Sequence, residues 1–143
     1  MQFVAIPWQS DLYQQEITLR DEVLRKPLGL AFTTEQLVQE KNELRFGVVH
    51  GGRLIACLLI TPLSPSLAKL RQMAVESSQR GNGVGAFLIE KVESALVELG
   101  FDRIELNARD VAVGFYEKLG YEKEGEEFIE VNIPHYKMSK PIG

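Results

Sequence analysis

The stretch "SSQRGNGVGAFLIEKVESAL", which runs from Ser77 to Leu96, places three glycines at alternate positions directly before an apolar pattern with helical spacing. Glycine costs about 1 kcal/mol relative to alanine in a helix. The three, at Gly81, Gly83 and Gly85, therefore indicate that something requires a bare backbone at this point. The apolar pattern behind them predicts an amphipathic helix.

Three interpretations of the glycines compete. In the simplest, they only make turns in a flexible connection. In the second, Gly81–Ala86 is a dinucleotide-binding fingerprint, because it satisfies the pattern G-x-G-x-x-G/A. That fingerprint follows its strand almost at once, whereas Glu76–Arg80 separates these glycines from a strand predicted to end at Val75. A Walker-type phosphate loop is excluded, because neither Lys-Ser nor Lys-Thr follows the glycines.

The third interpretation is a cradle for a pyrophosphate group. Successive bare amides before a helix form a concavity that binds anions, and the dipole of the helix reinforces it. Side chains would hold the phosphates away, so small residues are needed. Arg80 adds a charge-assisted donor at the entrance of the loop.

The rest of the chain alternates between strand and helix patterns. "RFGVVH" and "RLIACLLI" flank Gly51 and Gly52, a pair that suits the tight turn of a hairpin. "TTEQ", at Thr33–Gln36, is typical of a helix N-terminus. The predicted order is strand, helices, antiparallel strands, helix, strand, helix, strand, strand. This order indicates an α+β or mixed α/β sheet.

The composition is that of one globular domain, which we expect to span residues 1–143. The net charge of −4 argues against a general nucleic-acid surface, which needs a clustered excess of Lys and Arg. The apolar run Leu54–Ile60 is too short to cross a bilayer, and the first residues do not resemble a signal peptide. These features predict a soluble, cytoplasmic protein with no membrane partner.

Cysteine and histidine usage argues against metal chemistry. Cys57 is the single cysteine and sits in an apolar run, where we expect a small buried hydrophobic residue rather than a nucleophile. It permits no intrachain disulfide, which agrees with a reducing compartment. One cysteine and two distant histidines do not make a metal-ligand cluster, so no metal is predicted.

Two linked motifs resemble the GNAT family of N-acetyltransferases. "MAVESSQRGNGVGAFLIEKV" resembles the acyl-CoA loop of the family, Gln/Arg-x-x-Gly-x-Gly/Ala, with Arg80, Gly83 and Gly85 at the fixed positions. "LNARDVAVGFYEKLGYEKEGEEF" resembles the second signature of the family. The tail "GEEFIEVNIPHYKM" is further similar to the ElaA-like branch. The resemblance covers about residues 45–138.

The resemblance implies a GNAT-like fold and activity. The implied fold is a central mixed, mostly antiparallel sheet of six to seven strands, with a V-shaped splay between two parallel strands and about four flanking helices. The implied reaction moves an acetyl group from acetyl-CoA to a primary amine by direct attack in a ternary complex. An alternative is a non-catalytic acyl-CoA-binding sensor, which would keep the glycine loop but need no catalytic acid.

The cofactor-binding residues implied by the resemblance lie in four segments. They are Met73, Ala74, Val75, Arg80, Gly81, Asn82, Gly83, Val84, Gly85, Ala86, Asn107, Ala112 and Phe115. A bulge near Ala74 would free backbone groups for the pantetheine arm of CoA. The Val75 amide would then polarise the thioester oxygen.

Tyr116 is implied as the general acid that protonates the CoA thiolate. The base stays open among five residues, namely Glu76, Glu105, Glu126, Glu127 and His135. The ElaA-like resemblance favours Glu127 and His135. The acceptor is expected to be a small-molecule or peptide amine. The acidic C-terminal strands either attract a cationic amine electrostatically or form a solvated face. Family behaviour further implies a homodimer.

Overall fold

The computed structural model of the chain describes residues 1–29 and 34–143. In chain order the elements of the described residues are β1 (Gln2–Ala5), α1 (Asp11–Arg20), α2 (Thr34–Gln39), β2 (Leu44–His50), β3 (Arg53–Pro62), β4 (Leu67–Val75), α3 (Val84–Glu98), β5 (Arg103–Arg109), α4 (Val113–Lys118), β6 (Glu122–Glu130) and β7 (Ile133–Pro141). A π-helical turn, Asp21–Arg25, follows α1 directly. Thr33, the predicted start of the second helix, lies outside the described residues.

The strands are hydrogen-bonded in the order β1-β2-β3-β4-β5-β7-β6. The pairs β1–β2, β2–β3, β5–β7 and β6–β7 are antiparallel, whereas β4–β5 is parallel. The parallel register joins Leu67–Lys69 to Arg103–Glu105 and ends there, although both strands continue. The prediction of a mixed sheet of six to seven strands with about four helices is thereby confirmed, since the described residues form seven strands and four α-helices.

The chain forms two compact units. The first contains Met1–Thr61 and Gln72–Val92, and the second contains Pro62–Arg71 and Glu93–Gly143. Strand β4 and helix α3 each contribute residues to both. That the two make up one domain stays a prediction. None of the helices formed by the described residues is long and apolar enough to span a bilayer.

The first unit is built around the β2–β3 hairpin. Gly51 and Gly52 have φ values of +60° and +76°, as the predicted two-residue turn requires. Most of β3 is fully buried. The buried core of this unit includes Ile6, Tyr13, Leu19, Leu54, Cys57 and Ala74. The hairpin therefore supplies the surface on which α1 packs.

An ionic cluster is buried beside this core. Arg20, at the end of α1, donates to both carboxylate oxygens of Glu40 at 2.8 and 2.7 Å and lies 3.4 Å from Glu16. Arg45 lies 5.4 Å from the ring centroids of both Trp8 and Tyr13. Burial raises the pKa of Glu16 to about 7, although the nearby arginines oppose the shift. No local sequence pattern marks this cluster, because its members come from separate segments of the chain.

In the second unit, β7 lies between β5 and β6. The β6–β7 register shifts between Glu124 and Phe128, where Gly125 has a φ of +76°. Glu126 and Glu127 therefore lie in an irregular excursion of the strand and are exposed. The turn from β6 to β7 places Val131 at a φ of +45°, which is rare for a β-branched residue.

Gly47 provides a test of packing in the first unit. A Cβ at this position would meet Leu54 Cδ1 at 2.6 Å and the Ala56 carbonyl oxygen at 2.7 Å. Because the backbone oxygen cannot move aside, Gly47→Ala should lower the free energy of unfolding by roughly 1–3 kcal/mol in urea titrations. Gly114→Ala is the control, since a Cβ there meets nothing within 4 Å and alanine favours the helix. Equal stability of the two variants would contradict this account.

The raised pKa of Glu16 predicts a pH dependence of stability. The native state holds a proton on this carboxyl that the unfolded chain releases near pH 4.5, so stability should fall as the pH rises from about 4.5 to about 7. Glu16→Gln removes this titration and should be more stable than the wild type at pH 8, by on the order of 1–3 kcal/mol. Thermal unfolding measured from pH 5 to 8 checks this.

The matched control for this titration is Glu22→Gln, which alters an exposed carboxyl just after α1. It should leave the pH profile of the melting temperature unchanged. A wild-type profile parallel to that of Glu16→Gln would show that Glu16 does not hold the proton.

Candidate functional site

The glycine loop belongs to the first unit and lies between β4 and α3. Gly81 and Gly83 have φ values of +84° and +76°, and a Cβ on either would meet nothing within 4 Å. These glycines are therefore needed for backbone conformation and leave open space beside it. Helix α3 starts at Val84, so Gly81 and Gly83 precede it as predicted, whereas Gly85 lies in its first turn.

The loop and the first turn of α3 also carry hydrogen-bond donors. The first amides of a helix have no intrahelical acceptor, which applies to the backbone from Val84 onward. Before them, the Arg80 amide donates to the Ser77 carbonyl at 3.4 Å and closes a short 3-10 turn, Ser77–Gln79, and the Asn82 amide donates to the Gln79 carbonyl at 3.3 Å. Arg80 and Asn82 are exposed. The arrangement can receive an anionic group against backbone amides and one guanidinium.

The C-terminal end of β4 is irregular at Gln72. Its φ of +53° interrupts the strand two residues before Ala74, the residue near which a bulge was expected. Beyond it, the backbone of Ala74 bonds the Cys57 thiol, and the Glu76 amide donates to the Ile55 carbonyl at 2.8 Å. Both of these contacts are with β3. Since amides alternate along a strand, the Val75 amide lies on the opposite edge of β4.

Cys57 is fully buried, as predicted from its apolar surroundings. Burial raises the pKa of its thiol well above the ordinary value. The thiolate is the nucleophilic form of cysteine, so this residue is inert.

Tyr116 lies in the second unit on the short helix α4. It is 9% exposed, and its ring meets Phe115 and Tyr121 edge-on at centroid distances of 5.1 and 5.9 Å. Burial raises the pKa of its hydroxyl to about 12. The group therefore stays protonated through the physiological range and can act only as a proton donor there. Ala112 and Phe115 lie on the same short segment.

Asn107 lies on β5, beyond the residues that pair with β4. It is half-buried and faces Lys137 across the antiparallel register with β7.

His135 is fixed by its surroundings in the second unit. It is 4% exposed and stacks on Phe128 at 5.9 Å. Its Nδ1 lies 2.7 Å from the Ile133 carbonyl oxygen, which can only accept, so Nδ1 carries a hydrogen. Nε2 is then the nitrogen that can take up a proton, and it lies 3.5 Å from the Glu130 carboxylate. Phe128 and Glu130 were not among the predicted site residues, because their contacts with His135 form across two paired strands.

The other candidate bases are arranged differently. Glu76 accepts from Arg53 at 2.8 Å and from the Ser78 hydroxyl at 2.6 Å. Glu105 lies 3.3 Å from Lys137 in an ion pair. Both carboxylates are already occupied by cationic or hydroxyl partners.

The predicted residues thus fall into two groups. Met73–Val75 and Arg80–Ala86 lie in the first unit, whereas Asn107, Ala112, Phe115, Tyr116, Glu127 and His135 lie in the second. Glu127 is exposed, because the β6 irregularity carries it away from the paired part of the strand.

Comparison with known sequences identifies the same family that the two motifs resemble. The family model of the acetyltransferase (GNAT) domain matches residues 11–142. The uncharacterized N-acetyltransferase YjcF of Bacillus subtilis (strain 168) is 32% identical over 123 residues, covering 85% of this chain and 87% of YjcF. YyaT of the same organism is 36% identical over 75 residues, and that match covers 52% of this chain and 51% of YyaT. The chain therefore spans about half the length of this second relative.

Solved structures share the fold at low sequence identity. An aminoglycoside 6'-N-acetyltransferase complexed with coenzyme A superposes with a TM-score of 0.84 at 19% identity, covering 99% of this chain and 97% of the other. Escherichia coli ElaA superposes with a TM-score of 0.84 at 18% identity, covering 98% and 99%. At this identity the likeness shows the fold, and the ElaA-like branch stays a prediction.

The hydrogen bond of His135 predicts one tautomer. In the neutral ring, Nδ1 should be protonated and Nε2 unprotonated, which two-bond ¹H–¹⁵N spectra of the imidazole resolve in alkaline buffer. The second histidine, His50, is exposed and serves as the internal control, with a tautomer mixture. Protonation of Nε2 in neutral His135 would contradict the assigned hydrogen bond to the Ile133 carbonyl.

Proposed function

The chain belongs to the GNAT acetyltransferase family, and from this premise we propose that it transfers an acetyl group from acetyl-CoA to a primary amine by direct attack in a ternary complex. The predicted family and enzyme class, an acyltransferase, are confirmed at the level of the family. The observation that carries the proposal is the open glycine loop before α3, with Gly81 and Gly83 held at positive φ.

The pyrophosphate of CoA would bind the amides of Gly81–Ala86, beside Arg80. The helix dipole of α3 adds to this site, because it places partial positive charge at the same end. The CoA-complexed aminoglycoside acetyltransferase with this fold supports acetyl-CoA as the co-substrate. Asn107, Ala112 and Phe115 are proposed to contact the rest of the cofactor.

The thioester would be polarised by the backbone. The pantetheine arm is proposed to run along Met73 and Ala74, and the Val75 amide to donate to the thioester oxygen. Backbone amides alternate between the two edges of a strand. Because the Glu76 amide donates to β3, the Val75 amide is on the other edge of β4, which supports its choice as the donor. A donor aimed at the oxygen stabilises the negative charge that develops there during attack.

The transfer then exchanges one bond for another. The amine nitrogen attacks the carbonyl carbon, the C–N bond forms, and the C–S bond breaks. Tyr116 gives its hydroxyl proton to the departing sulfur, and its pKa of about 12 means that the hydroxyl is protonated when the transfer begins. His135 takes the proton of the amine on Nε2, because its Nδ1 is occupied by the Ile133 carbonyl.

Glu127 is the second candidate for the base, acting through water. Its exposure supports a role in attracting a cationic amine more than one in direct proton transfer. We propose as acceptor a small molecule or a peptide that carries a primary amine. A homodimer, a cytoplasmic location and the lack of a nucleic-acid partner stay predictions.

Calorimetric titration with acetyl-CoA tests the cradle, with NADH and ATP as control ligands. Acetyl-CoA alone should saturate the protein. Arg80→Ala should weaken its binding roughly tenfold through loss of a charged donor. Lys91→Ala, which removes an exposed charge further along α3, should not. Binding of NADH in place of acetyl-CoA would favour the dinucleotide interpretation, and binding of neither would refute the cradle.

Turnover is measured as release of the CoA thiol with spermidine, lysine, kanamycin or an alanine-initiated hexapeptide as acceptor. Tyr116→Phe should lower kcat by about a hundredfold and leave the Kd of acetyl-CoA unchanged. Unchanged turnover would remove Tyr116 from the mechanism. Saturable acetyl-CoA binding with no turnover on any of these amines would favour the non-catalytic sensor.

A further inference from the structure

The end of helix α4 joins Tyr116 to Tyr121. Gly120 adopts a φ of +96°, and its amide donates to the Glu117 carbonyl at 3.0 Å. The Tyr121 amide donates to the Tyr116 carbonyl at 3.1 Å. These two bonds make a Schellman turn, in which the residue after the glycine contacts the third residue from the helix end. Here that contact is between two tyrosine rings, whose planes meet at 73°.

Glu93, on α3, holds the far end of the Tyr121 ring. The Tyr121 hydroxyl donates to Glu93 Oε2 at 2.9 Å. Lys140 Nζ donates to both oxygens of the same carboxylate, at 2.9 and 3.1 Å, and lies 5.7 Å from the centroid of the Tyr121 ring. All of these residues belong to the second unit. Tyr121 is therefore fixed at its backbone by the turn and at its hydroxyl by an ion pair.

The contact with Tyr121 constrains Tyr116 more than the other ring contact does. Phe115 also packs edge-on against Tyr116, but it is 39% exposed. Tyr121 is 1% exposed and is held at both ends. A ring locked in this way can fix the orientation of its neighbour, which matters because an acid misplaced by about 1 Å loses much of its effect.

We infer that Glu93 is a positioning residue for Tyr116 and acts through the ring of Tyr121. The inference rests on the proposed function, since it concerns the hydroxyl proposed as the general acid. Glu93 itself does not take part in the chemistry. Its role is to hold Tyr121, so that the Tyr116 ring keeps one orientation while the cofactor is bound.

The first test is spectroscopic and needs no turnover. The chain has four tyrosines, so protein labelled with ¹³Cζ-tyrosine gives four resonances that single Tyr→Phe variants assign. Glu93→Ala should shift the resonance of Tyr116 as well as that of Tyr121. Glu93→Gln retains an oxygen that accepts the Tyr121 hydroxyl and should restore the Tyr116 position. Glu98→Ala, on the same helix and exposed, is the control and should shift neither.

A Glu93→Ala protein in which only the Tyr121 resonance shifts would overturn the inference, because Glu93 would then hold Tyr121 without affecting Tyr116. If Glu93→Ala fails to fold, Tyr121→Phe tests the same contact between Tyr121 and Glu93 through a smaller change. This variant keeps the ring and loses only the hydroxyl, and it should also shift the Tyr116 resonance. An unmoved Tyr116 in Tyr121→Phe would likewise overturn it.

The second test is a double-mutant cycle on kcat. Tyr121→Phe should lower kcat roughly three- to tenfold, with the Kd of acetyl-CoA unchanged, and Glu93→Gln should stay near the wild type. In the Tyr116→Phe background, Tyr121→Phe should have no further effect, because it acts through Tyr116. An equal loss of kcat in both backgrounds would mean that Tyr121 has a general structural role. That result would overturn the inference about Glu93 but not the proposed function. A Tyr116→Phe protein with unchanged kcat would instead overturn the proposed acid.

Discussion

Strand β4 pairs in parallel with β5 through Leu67–Lys69 and then continues to Val75 without extending that register. This limit on backbone hydrogen bonding is the constraint on which the candidate chemistry depends. A strand paired along its whole length has no amide to offer a ligand. The irregularity at Gln72, with its φ of +53°, lies in the part of β4 beyond the parallel register. Val75 also lies beyond this register, and its amide is on the edge of β4 opposite β3.

Different physical means set the protonation of the proposed acid and base. Burial accounts for the raised pKa of Tyr116, which keeps the hydroxyl neutral. His135 is instead controlled by one hydrogen bond, which places the hydrogen on Nδ1 and leaves Nε2 able to accept.

The second unit uses its charges to hold aromatic rings in place. Glu93 and Lys140 hold Tyr121, and Lys123 lies 4.8 Å from the ring centroid of Tyr136. The first unit instead buries Arg20 with Glu16 and Glu40, and removing Glu40 would leave the Arg20 charge without its bidentate partner. Both arrangements restrict side chains that the backbone alone leaves free to change rotamer.

The sequence by itself determined the order of the elements, the hairpin turn and the family. It could do so because helix periodicity, glycine pairs and the spacing from Arg80 to Gly85 are local properties of the chain. The buried thiol of Cys57 was predictable for the same reason. Features that depend on a single helix, strand or turn can be predicted from the residues next to them in the sequence.

Only the tertiary structure decided which side chains meet across elements. Glu16 and Glu40 are far apart in sequence and share Arg20 only because α1 and α2 belong to one packed unit. His135 and Glu127 looked equivalent as bases, but the register shift at Gly125 exposes one while the β5–β7–β6 pairing buries the other. Burial and hydrogen-bond partners depend on long-range pairing, which local sequence patterns do not encode.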